Sequence, residues 1–463
     1  MNNHLRKLKI EFADNPDLII KKININKLHT IYVIFLETLC SLDRINDYIL
    51  KKVTNINYLK NIKSKIPSGN IKTLNKYDEI EYYLYNGYTI ILDKKKIYAL
   101  ETKADINRGI SNNLIEPSIK GPKEAFIENY QTNIGLIKRR IKNSHLKTKN
   151  LNIGRLSNTT IGILYIDNIA KDEIINKTIN KLKNIDIDLI NDSADLLRYV
   201  STKSVFPSVI ITERPDRCAD ALANGKIVII CDGSPNALII PAFLVDFIHP
   251  FSDKYNKYAN INFTKIIRYL CFFLSIIIPG FYIAVVNFNQ ETIPSSLIIN
   301  FAIQRDNVPY PSVIECIIML ILCEILRESD LRFPNSFGSA VSVLGALIIG
   351  DAAVNAGLVS PIMIIITAFT YISSLLFTEI EIGNAIRFYR FIFLIMASFL
   401  GLYGLMITFI FFVINICDLK ENNIPYSFPV SPFDKSYFNI SFLNGKNTKR
   451  SKLLSKNIYK EKT

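Results

Sequence analysis

Between Lys265 and Lys420 the chain has no lysine, and beyond Arg268 that stretch holds five arginines: Arg305, Arg327, Arg332, Arg387 and Arg390. Two long runs inside it carry no charge at all, Tyr269–Gln290 (22 residues) and Phe391–Cys417 (27 residues). About 20 apolar residues in a helix cross the hydrocarbon core of a bilayer. A lysine-rich front is therefore joined to a helical part made for lipid. This split excludes most soluble-enzyme classes before any motif is read.

Charge follows the same division. Of the formal +14, residues 1–268 carry +13, 269–417 carry −4 and 418–463 carry +5. Basic flanks collect on the cytoplasmic side of membrane segments, so both ends are expected inside, with an even number of crossings, four or six. Met1–Ile10 mixes charges and has no apolar signal core, so the first domain is expected in the cytosol. The seven cysteines form no C-x-x-C pair and the four histidines fit no zinc spacing, so reduced thiols and no metal or cofactor are expected.

The front half contains a repeat. Ile31–Glu37 (IYVIFLE) answers to Ile161–Asp167 (IGILYID), 130 residues later. Asn86–Asp93 answers to Asn224–Asp232, and Ala99-Leu100 to Ala237-Leu238. Each copy reads as strand, helix, connection, helix, glycine turn, strand, Asp-centred turn and strand. The expected fold is two tandem small α/β domains followed by a multi-pass helical membrane domain. The boundaries are 1–110 for the first α/β domain, 111–158 for a linker, 159–260 for the second, 261–418 for the membrane domain and 419–463 for a basic cytosolic tail.

Within the linker, Glu124–Ile141 predicts an amphipathic helix with Phe126, Ile127, Tyr130, Ile134, Ile137 and Ile141 on one face. Lys138, Arg139, Arg140 and Lys142 follow at its C-terminal end, where cations suit the helix dipole. No aromatic residues are interleaved, so nucleic acid is the weakest reading of this patch. A solvated or partner-facing surface, or a membrane-surface patch, fits better.

In the membrane half, a first span over about 266–288 holds Pro279-Gly280, which should kink it. Val313–Glu328 is short and carries Glu315 and Glu324 on opposite faces. Glu324 is expected to pair with Arg327 at i,i+3. Glu315 is the one candidate for a functional acid in the membrane. Gly338, Ser342, Ala346 and Gly350 recur every four residues, with Gly345, Ala353 and Gly357 on an adjacent face; such small residues let helices pack closely. Asp351 and Asn355 sit at i,i+4 in that segment, either on an ion path or as a structural cap. Ser360 is expected to cap a helix starting at Pro361. Glu379, Glu381, Arg387 and Arg390 read as a polar connection before a last span, 391–417.

Several of these pieces together resemble the A subunit of the GerA family of nutrient germinant receptors from spore-forming bacteria. They are residues 121–142 (GPKEAFIENYQTNIGLIKRRIK), Thr212–Asp216 (TERPD), Asp232–Pro235 (DGSP), 308–334 and 338–361. Two departures are Asp351, where the resemblance leads one to expect Gln, and the lysine-rich tail. The resemblance implies a multi-pass protein of the spore inner membrane. It implies work with a transporter-like B subunit and a lipoprotein C subunit, self-association, contact with membrane lipid, and a part in ion release. On this reading the chain is no enzyme: it has no G-x-S-x-G elbow, no P-loop and no paired acids on one face. The alternative is a secondary transporter binding a small solute at the broken helix near 350–361.

Overall fold

The computed structural model describes residues 2–12, 15–26, 29–51, 71–74, 77–93, 96–104, 116, 121–255, 258–332, 350–377, 379–441 and 449–456. Ten strands build two sheets. The first takes β1 (Leu18–Asn26), β2 (His29–Leu36), β3 (Ile71–Leu74), β4 (Tyr88–Leu92) and β5 (Ile97–Glu101), in the order β1-β2-β4-β5-β3. The second takes β6 (Leu146–Ile153), β7 (Thr159–Ile166), β8 (Ile210–Thr212), β9 (Ile227–Cys231) and β10 (Ala237–Ile240), in the order β6-β7-β9-β10-β8. All described neighbours are antiparallel, so the two units share one topology.

Both sheets are covered on both faces, which is why their central strands are apolar without alternation. Ile31, Val33 and Phe35 enter one cluster and Ile34 and Leu36 the opposite one. In the second unit Ile161 and Ile163 face one side, Leu164 and Ile166 the other. The period of two along each strand fixes these faces. The first unit adds helices α1 (Asn2–Glu11), α2 (Leu42–Ile45) and α3 (Asp78–Tyr85). The second adds α4 (Tyr130–Arg140), α5 (Asp172–Lys183), α6 (Ser193–Val200), α7 (Pro215–Ala223) and α8 (Leu244–Ile248).

The register refines the repeat. Ile90 lies opposite Ala99, and its counterpart Val228 lies opposite Ile239. Ala99 therefore corresponds to Ile239 rather than Ala237. The cause is a longer hairpin turn: four residues lie between the paired Leu92 and Ile97, and six between the paired Ile230 and Ala237.

The stretch expected as a linker belongs largely to the second unit. Helix α4 packs Tyr130, Ile134 and Ile137 into the second unit's core, and β6 pairs along its whole length with β7. The basic patch is only partly open: Arg139 and Lys142 are exposed, whereas Lys138 and Arg140 turn to partners within the fold. Lys138 is fully buried and pairs with Asp17 of the first unit at 2.7 Å, while Arg140 pairs with Glu124 at 2.7 Å. Lys142 reaches Asn86 at 2.5 Å. Asp17 also accepts from the Thr38 N–H at 2.8 Å and its hydroxyl at 2.7 Å. The two units are thus joined by polar contacts. Burial pushes the Lys138 ammonium below its ordinary value, with Asp17 acting against that shift.

Beyond the second unit come α9 (Tyr258–Phe288), α10 (Ser295–Arg305), α11 (Ser312–Arg332), α12 (Pro361–Leu375) and α13 (Ile380–Asp418). By length and composition, Asn262–Phe288 and Ile380–Asp418 are long and apolar enough to cross a membrane. Pro279 lies inside α9, and beside it Gly280 lets the Phe393 carbonyl approach to 3.0 Å of where a Cβ would sit.

The expected single span 391–417 is instead a hairpin. Gly401 has φ 60° and ψ −140°, which no helix contains. The Phe412 ring lies 4.9 Å from Tyr389 and 6.0 Å from Phe393. In a straight helix residues that far apart in sequence would be about 30 Å away. Helix α13 therefore folds back on itself at Gly401, and α9 packs against both legs. The residues expected as a polar connection, Glu381, Arg387 and Arg390, lie within its first leg.

The basic tail is likewise folded rather than free. Strands β11 (Lys420–Glu421) and β12 (Ile424–Pro425) form a hairpin, and α14 (Lys435–Ser441) follows. Ile424, Phe428, Tyr437 and Leu454 enter the core of the second unit. That unit and the helices also share one apolar cluster, running from Leu164 and Phe206 through Phe272 and Tyr389 to Phe412.

Candidate functional site

Glu315, on the first turn of α11, is fully buried. Its Oε1 accepts from the Ser360 N–H at 2.6 Å and the Ser360 hydroxyl at 2.5 Å. The helix-capping serine thus turns its hydroxyl outward, and a carboxylate from a neighbouring helix takes the free N–H at the start of α12. Asp351 and Asn355 lie exposed on the helical stretch 350–355, Ala353 packs inward, and Gly350 has open space around it. Gly357 has φ +64° and closes on the Asn307 carbonyl. Gly338, Ser342, Gly345 and Ala346 lie outside the described residues. Glu315 and Asp351 therefore do not meet. Glu324 pairs with Arg387 at 2.5 Å rather than with Arg327, which lies against Gly383. Arg390 is buried, and its Nε donates to the Ser275 carbonyl at 2.7 Å.

The densest charged cluster lies where the second α/β unit meets the helices. Pro215 opens α7 at a position where its missing N–H costs nothing. The turn before it and the first turn of α7 set out three charges in a row. Arg214 grips Asp216 through Nε at 3.1 Å and Nη2 at 2.7 Å, and the Tyr255 hydroxyl donates to Asp216 at 2.6 Å. Burial alone would raise the Asp216 carboxyl, but the hydrogen bonds from Arg214 and Tyr255 outweigh it and hold it below its ordinary value.

Arg217, almost fully buried, points the other way. Its Nη1 lies 3.1 Å from Glu116, between the two α/β units, and 2.7 Å from Glu379, at the entry to α13. Burial disfavours the guanidinium, but the two carboxylates reverse that and raise its pKa. One side chain thereby ties three parts of the chain. Around it, Lys226 pairs with Asp246 at 2.6 Å, and Asp246 also accepts from the Phe243 N–H and the Tyr437 hydroxyl. Lys254 pairs with Asp220, and Arg268 at the head of α9 with Asp253. His249 contacts the Tyr269 hydroxyl at 3.1 Å, and burial drives its imidazole down to about 3, so it stays neutral. A cavity of about 110 Å³ opens among Arg217, Asp220, Lys226, Asp246 and His249.

The TERPD run, Thr212–Asp216, ends one residue before Arg217, and no motif singles out Lys226, Asp246 or Asp253. Each sits in an ordinary mixed-charge stretch with no local signal. Arg217, Lys226 and Asp253 are buried and Asp246 is half-buried, and the carboxylate of Glu379 that holds Arg217 lies 162 residues downstream. Among the described residues no group of His, Cys, Asp and Glu could hold a metal ion.

Fold and junction together define a two-part protein, a duplicated α/β module bolted through buried ion pairs to a bundle of apolar helices. The chain belongs to the Bacillus/Clostridium GerA spore germination protein family, whose profile matches residues 6–452. It is 34% identical over 443 residues to spore germination protein KA of Bacillus subtilis (strain 168), covering 93% of this chain and 81% of that one. It is 33% identical over 410 residues to spore germination protein GerQA of Bacillus cereus, covering 87% and 82%. The crystal structure of the N-terminal domain of the A subunit of the Bacillus megaterium spore germinant receptor GerK3 aligns at 23% identity. Its TM-score is 0.42, over 53% of this chain and 96% of that one.

Proposed function

We propose that this chain is the A-type subunit of a germinant receptor in the spore inner membrane. In this role it passes a conformational signal from its α/β units into a multi-pass helix bundle and so toward ion release. A transporter-like B subunit, a lipoprotein C subunit and further copies of this chain are its partners, and it carries out no catalysis. The observation that supports this reading is the bridge from Arg217 to both Glu116 and Glu379. A displacement of the second α/β unit moves Arg217, and the guanidinium delivers that displacement to Glu379, the residue that caps α13. The apolar cluster shared with the second unit makes the link stiff, since packed cores move as bodies.

In this scheme Glu315 is a brace holding the start of α12. Asp351 and Asn355 face outward, where a neighbouring subunit or an ion path would meet them. The transporter alternative is weakened because the N–H of the broken helix near 350–361 is already taken by Glu315 and is not open to a solute.

Glu379→Gln tests the reading. The amide keeps an acceptor for Arg217 but removes the charge. A charged hydrogen bond contributes about 1 kcal/mol more than a neutral one, so the germination response should slow about fivefold while the subunit accumulates normally. An unchanged response at unchanged subunit level would end the coupling proposal.

A further inference from the structure

The two α/β units share one strand order and differ in how one edge is completed. In the first unit the chain runs straight on from β5 into residues 102–104. Cys40 bridges Lys103 in antiparallel fashion, and the Ala104 N–H donates to the Leu39 carbonyl at 2.9 Å. Gly87 has φ +78°, and a Cβ there would lie 2.7 Å from the Lys103 side chain.

The counterparts in the second unit are Ile169 and Ala170, 130 residues on, and Gly225, 138 residues on. They make the same contacts with a different part of the chain. Ala170 bridges Ser455, and the Lys456 N–H donates to the Ile169 carbonyl at 2.8 Å. Gly225 has φ +88°, and a Cβ there would lie 2.8 Å from the Leu454 carbonyl. The residue that follows β10 is Pro241, which has no N–H to offer a ladder. There the chain turns away toward α9.

We infer that residues 450–456 are the missing last segment of the second α/β unit, so that this unit is discontinuous and the whole helical bundle is inserted between its halves. The slot beside Ile169, Ala170 and Gly225 is then a peptide-docking surface whose occupant is the chain's own C-terminal segment. Leu454 is fully buried in it, the Arg450 Nε donates to the Ala223 carbonyl at 2.8 Å, and Lys456 pairs with Asp172 at 2.5 Å. Both ends of the bundle are thereby held by one folded body, β10 at its entry and the strap after its exit. The inference does not need the receptor role, since it rests on the match between the units.

The test uses the full chain in lipid nanodiscs, followed by hydrogen exchange and mass spectrometry. Leu454→Asp puts a charge in the slot. Exchange should rise at least about tenfold in 169–171 and 226–231, and stay unchanged in 31–36 and 88–101 of the first unit. The exposed change Lys452→Asp should do neither. Unaltered exchange in 226–231 would overturn the inference. Should Leu454→Asp fail to accumulate, the pair Ala170→Cys and Ser455→Cys decides. Antiparallel bridge partners are close enough for a disulfide, so oxidation should link them in the intact chain. No link between these two positions on oxidation would overturn the inference as well.

Discussion

A single carboxylate shows how position decides chemistry. Glu315 was legible as an unusual acid in an apolar helix, but the sequence left its role open, because its partner Ser360 is 45 residues away. With both Ser360 donors on Oε1, its first role is to satisfy the start of α12. Removing it leaves a buried N–H and hydroxyl unpaired, at about 1–3 kcal/mol each. Glu315→Ala should therefore lower the thermal stability of the detergent-extracted protein, while Glu315→Gln, which still offers an oxygen, should cost about 1 kcal/mol or less. Passive ion flux in liposomes separates this from an ion-path role. A bracing glutamate predicts flux in Glu315→Gln close to that of the unaltered chain, and a path-lining one predicts its loss. Arg217 is the opposite case, decisive in the folded chain and silent in the sequence. Its two carboxylates lie 101 residues before it and 162 after it, and no local pattern reports that convergence.

Elements differ in legibility for physical reasons. The repeat could be read because β2 and β7 are apolar, β-branched runs followed at nearly fixed spacing by a glycine turn and a second such run. Strand β6 was missed because LKTKNLNI alternates weakly and sits after a basic helix. The turn in α13 was missed for the converse reason: 27 uncharged residues read as one span whether or not they reverse. Only Gly401 permits that reversal, through a backbone conformation that side chains rarely adopt and a close approach to Phe288. Gly401→Ala would place a Cβ 2.9 Å from the Phe288 Cβ and strain the backbone by about 1–2 kcal/mol. It should lower the unfolding temperature in detergent. Gly350→Ala, with open space around a helical site, should not lower it and serves as the control.

At the scale of the molecule, three kinds of joint set what moves with what. The first α/β unit meets the second through polar contacts around Asp17 and Lys138, which can re-form after a small displacement. The second unit meets the bundle through a continuous apolar core, which cannot slide without opening voids. The tail returns to the second unit, with Glu421 buried against Lys181 at 3.1 Å and Tyr437 on Asp246. A chain that leaves a folded body at Pro241 and rejoins it at Leu419–Leu454 must leave and re-enter on one face of any membrane between. Epitope tags at the two termini should therefore be digested together or protected together in sealed membrane vesicles of one orientation. A tag cut at one end and spared at the other would separate the tail from the α/β module.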